Sequence, residues 1–164
     1  NPNASRPALD WPLIAFVVRD GGFKHLVVRN LQTGGRKIHV SVQATLQLGR
    51  PSLSGGRLAW HVASRKQSMI VLKVLSSGAK RVIARTRIGL LQNPTVRSSR
   101  IAWVDSRSGA SHLRLGRVWG GRRTVETMRT RTRAYWTTSL APGAVYSTRW
   151  TLATGASAVY RTGV

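Results

Sequence analysis

The sequence predicts an all-β repeat protein built of stacked four-stranded antiparallel sheets, three of them complete and one incomplete. Three observations predict it. An aromatic residue recurs at Phe16, Trp60, Trp103 and Tyr146, with spacings of 44, 43 and 43 residues. Around these markers apolar residues come in bursts of three to five, rich in Val, Ile, Leu and Thr and punctuated by Gly, Ser and Asn, the pattern of short strands and turns. No segment holds a 3.6-residue apolar period long enough for a substantial helix.

The first unit covers about residues 6–49. Arg6-Pro7 and Leu9 open it, and Ile14-Ala15-Phe16 forms the next strand. Asp20-Gly21-Gly22 makes a hairpin turn, because glycine accepts positive φ. Leu26-Val27-Val28-Arg29 follows, then the turn Thr33-Gly34-Gly35 and the basic Lys37-Ile38. Residues 6–49 align on 50–93 without a gap. Arg50-Pro51, Leu53, Leu58-Ala59-Trp60, Ile70-Val71-Leu72-Lys73, Gly78 and Arg81-Val82 thereby define a second unit over about 50–92.

The third unit, about 93–136, runs through Asn93-Pro94-Thr95-Val96, Arg100-Ile101-Ala102-Trp103, Leu113-Arg114-Leu115, Gly120-Gly121 and Thr124-Val125. The fourth, about 137–164, starts at Thr138-Ser139-Leu140, reaches Ala144-Val145-Tyr146, and has a third strand at Ser157–Arg161 but no fourth. One sheet of about 40 residues cannot cover both its faces, so neighbouring sheets stack. Phe16, Trp60, Trp103 and Tyr146 are expected between them, where a large aromatic buries about 150–250 Å².

The unit resembles that of the TolB-like, WD-repeat-like β-propeller family. Pro51-Ser52-Leu53-Ser54-Gly55-Gly56-Arg57-Leu58-Ala59-Trp60 carries the proline, the Ser-rich turn and the apolar-Ala-aromatic strand of that pattern. The likeness runs along practically the whole chain and implies β-propeller-type blades. The turn departs from the family in lacking an Asp before its Gly, reading Ser54-Gly55-Gly56 or Arg97-Ser98-Ser99.

The incomplete fourth blade has a functional consequence. An unfilled sheet edge offers unpaired backbone donors and acceptors. Ala158, Val159, Tyr160 and Arg161 are expected to form an assembly edge, paired with another copy or with a completing segment of a longer chain. The stretch Asn1–Arg6, polar and containing Pro2, is a poor donor for that edge.

Charge supplies a second expectation. Lys and Arg number 27 against four acids, Asp10, Asp20, Asp105 and Glu126, for a net charge of +23. Such a surface calls for an anionic polymer or an acidic protein surface. Arg114, Arg117, Arg122, Arg123, Arg129, Arg131 and Arg133 form the densest basic stretch, and the last three alternate with threonines, so that in a strand they share one face. Trp119, Trp136 and Trp150 lie near arginines, placed to stack with a base or a sugar.

Catalysis finds little material here. Four separated acids make no acid/base pair. Ser111, His112 and Asp105 have triad residue types but no nucleophile elbow. His25, His39, His61 and His112 lack metal-ligand spacing, and the chain has no cysteine. No phosphate-cradling glycine loop precedes a helix, and no apolar run reaches membrane-spanning length. The sequence therefore predicts a non-enzymatic interaction module without cofactor, metal or transmembrane segment. It is expected to be secreted or surface-exposed, with Asn3-Ala4-Ser5 as a glycosylation acceptor pattern. The alternative expectation is an electrostatic binder of nucleic acid or an anionic cell-wall polymer.

Overall fold

The computed structural model describes residues 4–128, 133–151 and 153–164. Among them there is no helix, and hence none long and apolar enough to cross a membrane. In the described residues sixteen strands form four antiparallel sheets, each from one consecutive stretch of chain. The first contains β1 (Ala4–Asp10), β2 (Leu13–Asp20), β3 (Phe23–Asn30) and β4 (Arg36–Gln43). The second contains β5 (Gln47–Leu48), β6 (Ser52–Ser54), β7 (Arg57–Ala63), β8 (Ser68–Val74) and β9 (Lys80–Thr86), with β5 and β6 both paired to β7. The third contains β10 (Leu90–Arg97), β11 (Arg100–Arg107), β12 (Ala110–Arg117) and β13 (Gly120–Met128), and the fourth β14 (Arg133–Ala141), β15 (Ala144–Thr151) and β16 (Ser157–Gly163). This is the blade architecture of a β-propeller, drawn as an arc.

The repeated proline explains a repeated break. Proline cannot donate to a ladder, so a strand containing one is bulged or interrupted there. The opening strand of each sheet breaks at the same place: around Arg6-Pro7 in β1, between β5 and β6 at Gly49–Pro51, and around Asn93-Pro94 in β10. In β14 the break falls at Trp136, without a proline. A second repeated device closes each blade. The residue after the third strand donates its N–H to the first turn: Leu31 to Pro12 O at 2.8 Å, Leu75 to Gly56 O at 2.9 Å, Val118 to Ser99 O at 2.8 Å and Val164 to Gly143 O at 3.0 Å.

Three apolar clusters fill the gaps between successive sheets. Ala15, Val17, Leu26 and Val28 of the first sheet meet Leu53, Leu58, Trp60 and Val71 of the second. Ala59, Ile70 and Leu72 meet Val96, Ile101, Trp103 and Val118 of the third. Ala102, Val104, Leu113 and Leu115 meet Tyr135, Leu140 and Val145 of the fourth. Among the described residues no such cluster joins the fourth sheet to the first.

Two of the four recurring aromatics pack as the sequence predicts. Trp60 and Trp103 are buried, each facing the preceding sheet. Phe16 occupies the same repeat position, but its neighbours Ala15 and Val17 face the second sheet, so it points to the opposite, open face and is half-buried. Tyr146 is a correction. Register pairs Leu140 with Val145, as Val96 pairs with Ile101 and Leu53 with Leu58. Ser147 therefore occupies the slot of Trp103, and Tyr146 faces away from the third sheet. A one-residue offset in a strand moves the side chain to the other face.

Candidate functional site

Strand direction divides the arc into two ends. At the lower end lie the turns between first and second strands and those between third and fourth. The hairpins between second and third strands lie at the upper end. Of the four acids, Asp10 alone belongs to the lower end, where its Oδ2 accepts the Gly55 N–H at 2.7 Å. Asp20 lies in the upper hairpin of the first sheet, paired in register with Phe23. Asp105 and Glu126 lie in the upper part of the third sheet and hold the ion pairs seen among the described residues. Arg107 and Arg114 reach Asp105 at 3.1 and 3.0 Å, and Arg149 reaches Glu126.

Burial opposes ionisation of Asp105, but the hydrogen bonds and charges of Arg107 and Arg114 outweigh it and hold its carboxyl below the usual range. Arg114 is thus a structural residue, bonded also to Thr124 Oγ1. Of the predicted polyanion strip, Arg117, Arg122 and Arg123 are exposed, while Arg133 opens β14 in a different sheet. Arg129 and Arg131 lie outside the described residues.

The β12–β13 hairpin organises the lower end. Its turn places Val118 fully buried between the second and third sheets, so the next residue, Trp119, is turned outward and is 63% exposed. Gly116 makes the close packing possible, since a Cβ there would lie 3.2 Å from both the Trp103 ring and Gly121 O. Two clefts flank the hairpin. One, of about 220 Å³, is lined by Arg81 and Ile83 of the second sheet with Arg117, Gly120, Gly121 and Arg122. The other, of about 360 Å³, is lined by Arg100, Leu115, Arg117, Arg122 and Arg123. Register puts Arg122 opposite Gly116, facing the second sheet, and Arg123 opposite Leu115, facing the fourth.

The opening strands frame a larger axial cleft of about 990 Å³, whose lining includes Arg19, Lys24, Arg50, His61, Asn93 and Trp136. Polar ties hold its rim. Gly49 leaves room for the His61 ring, which would sit 1.8 Å from a Cβ at that position. The Asn93 N–H meets His61 Nδ1 at 3.4 Å, and the Asn93 side chain donates to Trp136 O. Thr138 Oγ1 donates to Asn93 O at 2.9 Å. Sequence reasoning missed this cleft, because its residues come from four separate units and share no local motif. Trp136 and Trp150 stack edge-on at 5.0 Å.

The triad types do not assemble. Asp105 pairs with His112 in register and so shares its face, whereas Ser111, the adjacent residue, points to the other side and accepts the Tyr135 N–H at 3.4 Å. Among the described residues no group of three or more His, Cys, Asp or Glu side chains is placed to hold a metal ion. The assembly-edge residues Ala158, Val159, Tyr160 and Arg161 are all exposed on β16, which pairs with β15 at the end of the fourth sheet.

No family model matches the chain, and no curated protein does. Solved structures do. The β-propeller domain of the Trilobed protease from Pyrococcus furiosus, described as having an open velcro topology, aligns with a TM-score of 0.68 at 14% identity over 98% of this chain and 54% of that one. A putative TolB from Agrobacterium tumefaciens aligns with a TM-score of 0.63 at 14% identity over 93% and 62%. A prolyl endopeptidase aligns with a TM-score of 0.74 at 11% identity over 99% and 26%. The chain thus spans about half of the first structure and less than two thirds of each. At these identities the likeness establishes the β-propeller fold, in agreement with the four blades.

Proposed function

We propose that the chain is a β-propeller interaction module that takes up a further propeller-type sheet on the open face of its first blade. One repeat position carries this reading. Leu53, Val96 and Leu140 are 7%, 3% and 6% exposed, whereas their counterpart Leu9 is 63% exposed. Leu9 shares its face with Ile14, Phe16 and Ile38, an apolar patch bordered by Arg29 and Arg36 and left open where equivalent faces are covered. Burying such a surface is favourable by about 25 cal/mol per Å² of apolar area. A second copy is the occupant for this chain, and the exposed β16 edge with Ala158–Arg161 supplies a further place for an added strand.

Sedimentation velocity over a concentration series tests it. Wild type associates, and Leu9→Glu shifts the population to the 18.0 kDa monomer. Association strengthens with salt, because two chains of charge +23 repel until screened. A monodisperse monomer at high protein concentration and high salt overturns the assembly reading.

A second reading, attachment to an anionic polymer, is favoured by the segregation of the acids: three of the four lie away from the lower end. Its salt dependence has the opposite sign, since binding a polyanion weakens as salt rises. The same salt series therefore separates the two readings.

A further inference from the structure

We propose that the lower end of the third blade is a single-stranded nucleic-acid site, with Trp119 stacking a base and the arginines of the two flanking clefts holding the adjoining phosphates. The proposal deepens the polyanion reading and rests on it. The first argument is chemical. Arg81, Arg100, Arg117, Arg122 and Arg123 line two clefts that share the β12–β13 hairpin. No carboxylate pairs with any of these five among the described residues, in contrast to Arg107, Arg114 and Arg149. Guanidinium forks match phosphate oxygens two at a time, and Arg outnumbers Lys throughout this chain.

The second argument uses the repeat as its own control. The residue following Leu31, Leu75 and Val118 is the outward residue of the same turn, fixed by the same backbone hydrogen bond. It is Gln32 in the first blade and Ser76 in the second, both exposed. The fold therefore does not require an aromatic there, yet the third blade places Trp119 at that point, between arginine-lined clefts. Trp11 repeats the pattern in the lower turn of the first blade, 72% exposed where Gly55, Ser98 and Pro142 hold the equivalent positions. Exposed indoles among unpaired guanidiniums form the stacking platform and charged track that hold single strands. Bases inside a duplex are already stacked on one another and leave the Trp119 face unused.

The rigid base of the hairpin makes the site pre-formed. Val118 is buried, Gly116 lies against the Trp103 ring, and Arg122 and Arg123 point to opposite sides of the same strand. A strand crossing the hairpin tip meets one cleft on each side of the base seated on Trp119.

Titration of the full chain with an oligothymidylate, followed by fluorescence anisotropy, tests the proposal. Heparin serves as a polyanion without bases. Trp119→Ser installs the residue that the second blade already carries, and is expected to weaken oligothymidylate binding about fivefold to 150-fold while leaving heparin affinity within twofold. Arg117→Gln with Arg122→Gln weakens both polymers and lowers the magnitude of the log K against log salt slope by about 1.4 for the oligonucleotide. Arg65→Gln with Lys66→Gln, the same charge loss at an upper turn, changes neither by more than twofold. Unchanged melting temperatures confirm that each variant is folded. Equal loss from the upper and lower pairs overturns the proposal, as does an unaltered oligothymidylate affinity in Trp119→Ser; heparin binding that survives in either case leaves the polyanion reading standing. Failure of wild type to bind either polymer overturns both.

Discussion

The gap between the second and third sheets and the gap between the third and fourth occupy equivalent places in the arc but fill one equivalent slot with different chemistry. In the former, Trp103 projects from β11 into an apolar cluster that includes Ile70, Leu72, Ile101 and Val118. Beside that cluster, buried Ser68 and His61 bond to the third sheet, and Asp105 lies on the Trp103 face with its arginine partners. In the latter, the slot equivalent to Trp103 holds Ser147, whose Oγ is buried without a hydrogen-bond partner among the described residues. The missing volume comes from elsewhere. Tyr135 enters from the opening strand and is fully buried. Arg149 lies 3.8 Å from the centre of the Tyr160 ring and 5.8 Å from that of Tyr135. Glu126 of the third sheet accepts from Arg149 and, at 3.2 Å, from Thr162 Oγ1. Burial, followed by the Glu126 charge, pushes the Tyr135 phenol above its ordinary pKa. A repeat can thus keep its backbone geometry while the slot that Trp103 fills in one gap passes to Ser147 in the next, where Tyr135 and a cation–π and ion-pair network supply the volume.

The largest test of that comparison is Trp103→Ala. Truncating a fully buried Trp removes transfer free energy and leaves a cavity, together about 3–5 kcal/mol. The Gly116 contact with the ring disappears as well, so the basic hairpin loses its base. The expected drop in melting temperature is about 10 °C by calorimetry. A loss below about 1 kcal/mol would show that the aromatic does not hold this gap, and that the two gaps are less different than their composition.

Ser147→Ala approaches the other gap and carries the opposite sign. Removing a buried hydroxyl that makes no bond relieves its desolvation cost, and the variant is expected to be more stable by about 1 kcal/mol. The readout is a higher urea midpoint at unchanged slope. Destabilisation of similar size would show that the hydroxyl is bonded, and that the fourth blade is matched to its polar slot.

Ser147 also marks where the sequence ceased to be legible. The repeat, the turns and the proline breaks are local signals, so the blades and the buried positions of Trp60 and Trp103 could be read directly. In the fourth unit the nearest aromatic stands one residue from the true slot. Spacing of 43 matched the earlier interval, but parity along a strand placed Tyr146 on the wrong face. Alternation alone would have separated Ser111 from His112. Two other features depended on strands distant in sequence. Arg114 looked like part of a free basic strip until register set it across from Trp103 and so diagonal to Asp105 on the same face. The segregation of acids and the axial cleft appear when turns from different units come together at one end of the arc, which no local pattern records.

The smallest expected effect lies in the first gap and shows how a part-buried imidazole behaves beside two lysines. His39 is the extra residue where the β3–β4 register slips between Val40 and Ile38. Burial lowers its pKa from 6.5, and the charges of Lys73 on the second sheet and Lys37 beside it lower it further. The folded protein therefore protonates His39 at lower pH than the unfolded chain, which takes up a proton near pH 6.5. Below that value the unfolded state binds more protons, so stability falls as pH drops through 6.5 toward the lower folded pKa. His39→Gln removes the titration and flattens that part of the stability curve. The Asp105 contribution remains, because it fades at lower pH, where its depressed carboxyl is protonated. Urea unfolding between pH 7 and 5 reads the difference: an unchanged slope in His39→Gln would mean that the first gap admits water to the imidazole, and that apolar composition alone does not dry a gap between blades.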